Sequence, residues 1–376
     1  MNKHFLYLLL FISLLWSGNN IYAQNSYQTL DGTTWSVGDT IRIGYNQYGE
    51  YRSLYTLYES PDFTSLNPVK SDDLVLMEGT IIDIKPHNEN ITYSSSESNI
   101  LIISLPSEEY PKIYIDIDEA VVNHEVVLRF SDNPTSKVAI DLTDDLIWAY
   151  CIRVNKIEIT DDLVMSYIKM TKDETLVDEL SSNKFKFERE KETYRKELQM
   201  LADHFDFSKI YRVKLNATFG EYDFKKQGYP CEYYVYPTSR WYYGLDEWQV
   251  IGINKNYNLF VGNDYERTSF LLFPPGKAEE YELTLQKLND KYIGYINQIY
   301  ASIYVKLIDT PVAFPPFKRE APKNSDAEIF ERMAIKREEE DRELSKPYTL
   351  NGKVISIDFF DHPSHEYNYI HSLYLQ

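Results

Sequence analysis

Between Tyr211 and Phe219 the chain alternates without a break. Tyr211, Val213, Leu215, Ala217 and Phe219 fall on one parity, and Arg212, Lys214, Asn216 and Thr218 on the other. A period of two predicts a strand with one buried face. Carried past Gly220, the same parity would bring Glu221 and Asp223 onto the apolar side, where unpaired carboxylates are costly. A bulge at Gly220 would reverse it and turn Tyr222 and Phe224 inward. Gln227-Gly228 predicts a turn, and residues 231–236 (CEYYVY) the returning strand. A second clean alternation covers Ile299 to Leu307, with Tyr300, Ser302, Tyr304 and Lys306 on its polar parity. Both strands are expected in one antiparallel sheet with a single covered face, so that Leu215 and Ile303 are buried on the same side.

Helical spacing supplies the cover. Thr160 before Asp161 and Asp162 predicts a helix start, and Leu163, Val164, Tyr167 and Ile168 make one face. Phe187, Tyr194, Leu198, Leu201 and Phe205 give a stripe to a helix over 182–204, which is expected to lie on the sheet. Residues 248–253 and 268–273 read as strands, and 277–288 as a helix after Pro274-Pro275-Gly276. Residues 311–317 form a stiff proline connector, 325–344 a charged helix, and 353–360 a last strand. Upstream, short strands recur at 35–43, 52–58, 74–77, 79–84, 100–105 and 112–117 with almost no helical signal. The expected class is α+β: an N-terminal all-β small barrel or sandwich, then an α+β domain with an antiparallel sheet and a few helices. The expected segments are 1–23, 24–131, 132–310, 311–345 and 346–376, with the main boundary at the polar, proline-containing stretch from Ser131.

Residues 37–44 (VGDTIRIG), an aromatic strand at 51–58 and Tyr114-Ile115-Asp116-Ile117-Asp118-Glu119-Ala120 resemble small β modules of exported proteins of Bacteroidota. The resemblance is confined to the first module. It implies export and a β fold, and no activity; the glycine-rich loop of better-matched modules is missing here.

The first residues carry the same message independently. Lys3 precedes an apolar run from Phe5 to Trp16, and Ala23 offers a small residue for cleavage. The run falls short of the ~20 residues that span a bilayer, so 1–23 reads as a signal peptide that leaves Gln24 as the mature end. The mature chain is therefore expected to be exported, periplasmic or extracellular, with no transmembrane segment. A net charge of −19 without a compact basic stripe argues against nucleic acid as a partner.

Candidate chemistry is sparse. Cys151 and Cys231 leave two readings open, one disulfide or two buried thiols. Asp361, His362, His365, Glu366 and His371 are metal-ligand types, but their spacing matches no helical zinc motif, and a solvated tail is the plainer reading. Glu221 and Asp223 share a strand face at ~5–7 Å, within the range of glycosidase carboxylates, although solvent-facing strand carboxylates are commoner. The 33 tyrosines stand out, because flat rings with a polar tip suit sheet surfaces and binding faces alike. Arg240, Trp241, Tyr242 and Tyr243, which lie between strands, are the candidate binding residues, with Tyr234 of the returning strand before them. Walker, dinucleotide, nucleophile-elbow and HExxH patterns are absent from the sequence, and no cofactor is implied. The expected function is a non-enzymatic binding or structural protein of the cell envelope, with a glycan or an envelope protein as partner. The alternative is a periplasmic hydrolase acting on glycan or peptide.

Overall fold

The computed structural model describes residues 25–29, 32–44, 53–58, 68–70, 74, 76–86, 99–123, 125–127, 130–234, 247–251, 256–262, 264–291, 299–313, 333, 335–337, 340, 343, 346–361 and 368–375. The class is α+β. The chain divides into two compact units, Met1–Leu128 with Glu282–Tyr295, and Arg129–Tyr281 with Ile296–Gln376.

The first unit opens with a two-stranded ribbon, β1 (Ser26–Gln28) and β2 (Thr34–Ser36). Its main sheet is antiparallel and seven-stranded, in the order β5 (Pro68–Lys70), β4 (Ser53–Tyr58), β8 (Lys112–Asp116), β7 (Asn99–Ser104), β6 (Glu78–Pro86), β3 (Thr40–Ile43), β9 (Val126–Val127). Strand β7 is central and buried on both faces: Leu101 and Ile103 enter the main core, Ile100 and Ile102 a smaller cluster with Tyr114. That explains its unbroken apolar run. The strand expected at 74–77 is instead a turn, in which Leu76 takes a positive φ of 66° and the Met77 N–H donates to the Leu74 carbonyl. A helix missing from the sequence reading, α1 (Ile117–Val122), starts where β8 ends, its first turn capped by Asp116.

The second unit is organised on a mixed, mainly antiparallel sheet of nine strands. Its path runs β13 (Glu247–Ile251), β14 (Asn256–Phe260), β17 (Thr349–Phe360), β16 (Ile299–Leu307), β11 (Tyr211–Phe219), β12 (Gly228–Tyr234), β15 (Phe270–Leu272). Off that path, β10 (Ile140–Asp141) runs parallel to β11, and β18 (Tyr369–Tyr374) antiparallel to β17. Strand β11 has the expected faces: Tyr211, Val213, Leu215 and Ala217 are buried, and Lys214 and Thr218 exposed. It pairs directly with β16, Val213 opposite Ile303 and Leu215 opposite Ala301. Beyond Phe219 the sequence expectation needs correction. The strand simply ends, the Gly220 N–H donates to the Pro230 carbonyl, and Phe224 is 82% exposed at the tip while Tyr222 packs partly on the core. The turn forces this: Gln227 takes a φ of 55°, and a Cβ on Gly228 would lie 2.1 Å from the Leu271 carbonyl oxygen.

Helices α2 (Asp144–Asn155), α3 (Asp161–Thr171), α4 (Glu174–Ser182), α5 (Lys184–Asp203) and α6 (Asp264–Thr268) belong to this unit, and α7 (Pro275–Lys291) begins in it, its residues from Glu282 being assigned to the first unit. The cover nearest the sheet is α2, not the long α5. Ile147 to Ile152 of α2 are all buried, and α5 lies chiefly against α2. Helix α5 adds Leu198 and Ala202 to the same core, whereas Phe187 joins a satellite cluster with Val164, Ile168 and Leu180. The sheet also curls on itself. Phe273, just after β15, meets His371 of β18 edge-on at 4.9 Å, although β15 ends the pairing order and β18 pairs with β17, on the far side of β12, β11 and β16 from it. Phe219, Tyr229 and Phe359 contribute rings to the interior, with Tyr281 of α7 against the first two.

Candidate functional site

Two features of the second unit gather polar chemistry, one sealed and one open. The sealed one lies on the sheet face opposite α2. On β16 the sequence predicts a solvated parity at Ser302 and Tyr304, but they are 0% and 1% exposed. The chain leading into the unit covers them. Asn133 is fully buried there, and Asp358 of β17 lies at the centre, also fully buried. Its Oδ2 accepts from the Ser131 hydroxyl at 2.6 Å and the Tyr304 hydroxyl at 3.1 Å. Its Oδ1 accepts from the Asn133 amide at 2.8 Å and the Ser372 hydroxyl at 2.6 Å. The Asn133 amide also reaches Ser356 Oγ at 3.0 Å, and the Tyr369 hydroxyl lies 2.7 Å from Ser372 Oγ. Burial first, then the Asp358 charge, pushes the Tyr304 phenol far above its ordinary value; burial raises Tyr369 to about 12. Both hydroxyls therefore stay protonated at neutral pH. The advance signal was a lone carboxylate next to the apolar residues Ile357, Phe359 and Phe360 at the end of the strand.

The open feature is a cleft of about 610 Å³. It forms where α2 stops and α3 begins. Lys156 ends α2 in the left-handed conformation, and its Nζ donates back to the Arg153 carbonyl. Thr160 caps α3 by accepting from the Leu163 N–H at 3.2 Å. The 3₁₀ turn Lys346–Tyr348 forms the far wall, tied across by Asn155, whose Nδ2 donates to the carbonyls of Pro347 and Thr349, 2.9 Å each. Ile157, Leu163 and Tyr348 give the cleft an apolar side; Glu158 and Asp162 stand exposed on its rim. Asp161, one residue away, is instead turned to Lys191 and Arg195 of α5, and the Lys191 hydrogen bond holds its carboxyl below the usual range. Sequence reading found the Thr160 cap but missed Asn155 and Tyr348, because nearly 200 residues separate the walls and only folding joins them.

Among the described residues, those singled out in advance do not converge on one site. Arg240, Trp241, Tyr242 and Tyr243 lie outside the described residues, as does the Tyr234 side chain; its backbone pairs with Asn216 at the end of β12. Cys151 and Cys231 are both free and buried in one core. No disulfide joins them, and each packs as a small apolar group; burial pushes both thiols up, Cys231 to about 12. Asp223 is committed to the hairpin tip, where its Oδ1 accepts from the N–H groups of Lys225 and Lys226, and Glu221 is exposed beside it. Of the histidine-rich tail, 362–367 lies outside the described residues, and His371 is part-buried against Phe273, with burial lowering its basicity. Among the described residues no three His, Cys, Asp or Glu side chains converge as metal ligands would. No helix among them is long and apolar enough to cross a membrane.

Among known proteins, no curated sequence and no solved structure matches the chain. One family model, described as a domain of unknown function (DUF4852), matches residues 160–287, from the Thr160 cap into α7. The match takes in one wall of the cleft and strands β11 to β15, and leaves β16, β17 and β18 outside it.

Proposed function

We propose that this chain is an exported protein of the cell envelope with a binding or structural role, and that the cleft beside Tyr348 receives its partner, a glycan or an envelope protein. The observation that supports a non-catalytic reading is how the carboxylates are placed. A general acid or base needs a carboxyl with a position left for the substrate, in surroundings that tune its proton affinity. Asp358 has the secluded surroundings, but four protein donors occupy its oxygens. Glu158 and Asp162 face the cleft but stand exposed in water. A groove with an apolar side, one aromatic ring and a charged rim suits recognition by stacking and hydrogen bonding.

The test compares the mature chain with a Glu158→Lys/Asp162→Lys variant on immobilised envelope glycans and by crosslinking in native envelopes. Retention by the wild type and a loss of about tenfold or more in the variant, some 1.4 kcal/mol, is expected. Turnover of glycan or peptide substrates by the wild type, abolished in the variant, would establish the hydrolase reading instead.

A further inference from the structure

The segment Ser131–Ser136 opens the second unit and is seated on the outer face of its sheet. We propose that it is a latched strap: a conformational device whose seated state is fastened mainly at one acceptor, the Asp358 carboxylate, with the Asn133 amide also reaching Ser356 Oγ. A carboxylate offers about four lone-pair positions and no proton. Here neutral donors take all four. Ser131 and Asn133 supply two of them from the strap, Tyr304 one from β16, and Ser372 one from β18. One group therefore fastens the strap and two strands at the same point.

The consequence is a seating that is all or none. None of these four donors carries a charge, so the bonds that hold the buried carboxylate are all neutral hydrogen bonds. Lifting the strap removes two at once and leaves the carboxylate short of donors until water enters. Partly lifted states are therefore the least favourable. An apolar contact of similar size would hold the segment without that sensitivity, so the network selects one placement of the strap rather than adding strength. The strap is also internally organised, which lets it move as a piece. Ser131 Oγ accepts from the Asn133 N–H at 3.1 Å, Asn133 Oδ1 from the Thr135 N–H at 3.0 Å, and the Ser136 hydroxyl donates to the Asn133 carbonyl at 2.8 Å. Downstream, Lys137 and Val138 are exposed and offer no comparable anchor to the sheet face. Lifting the strap would open the hydroxyls of Tyr304, Ser356 and Ser372 around a carboxylate with two vacant positions.

Hydrogen exchange read by mass spectrometry on the full mature chain tests this. Asp358→Asn keeps the shape but turns an NH₂ toward two donors. Asn133→Ala removes a strap donor, together with the acceptor of the Thr135 N–H inside the strap, and leaves every sheet residue in place, so the exchange that decides is that of the other amides of 131–138. Exchange in peptides covering 131–138 is expected to rise about tenfold or more in both variants, with β11 and β16 unchanged, as for a local opening. Unchanged exchange over 131–138 in Asn133→Ala would overturn the latch. So would equal acceleration in the strap, β11 and β16 of that variant, because the network would then hold the sheet as a whole. If Asp358→Asn does not fold, Asn133→Ala alone decides between these outcomes.

Discussion

Tyr150 shows what a single residue does here. It is fully buried in α2; its hydroxyl donates to the Ile308 carbonyl at 2.8 Å and accepts from the Asn351 N–H at 3.0 Å. The ring packs edge-on against Phe205 and Phe207. One side chain thus links the helical layer to the ends of β16 and β17. Tyr150→Phe keeps the ring and leaves two backbone groups short of a partner. It should destabilise by about 1–3 kcal/mol in urea melts, the usual cost of an orphaned buried polar group. Tyr222→Phe removes a hydroxyl that donates to the Phe273 carbonyl from a half-buried position, where water can replace it, and should cost less. Equal midpoints for wild type and Tyr150→Phe would mean that water enters the helix–sheet seam. The role of Tyr150 was not legible in advance, because a tyrosine on an apolar helix reads only as core until its partners are known.

At the scale of the element, legibility followed periodicity. Strands β11 and β16 and helix α5 each had one apolar and one polar side, and each was found in the sequence. Helix α2 was missed because its apolar residues go all the way round, which leaves no amphipathic signal. The solvated parity expected on β16 failed for a related reason. Polar side chains there are buried against a polar strap, which alternation cannot distinguish from water. The core face keeps its prediction. Leu215→Ala should destabilise by about 2–5 kcal/mol through lost burial and a residual cavity, and Lys214→Ala by little. Lys214 does sit 3.3 Å from Asp141, but both are well exposed, and such pairs contribute little. Urea midpoints that coincide for the two variants would show that the faces of β11 are assigned the wrong way round.

For the whole molecule, the first expectation to check is export. Mass spectrometry of the protein from native cells should find the N-terminus at or near Gln24; an intact Met1–Ala23 segment on the mature protein would remove the basis for an envelope role. What the sequence by itself determined was the α+β class, a β-rich first unit, the two alternating strands and the Thr160 helix cap. Each depends on neighbours within a few residues, and backbone geometry turns such spacing directly into faces and ends. The tertiary structure alone decided that β17, near the end of the chain, lies inside the sheet beside β16. It alone placed Asn155 against Pro347, buried Asp358 beneath Ser131 and Asn133, and left the two cysteines unbonded in one core. Those outcomes depend on which surfaces meet after the chain has crossed tens to hundreds of residues, 192 between Asn155 and Pro347 and 227 between Ser131 and Asp358. Hydrophobic burial fixes that meeting for the molecule as a whole, and no local period records it.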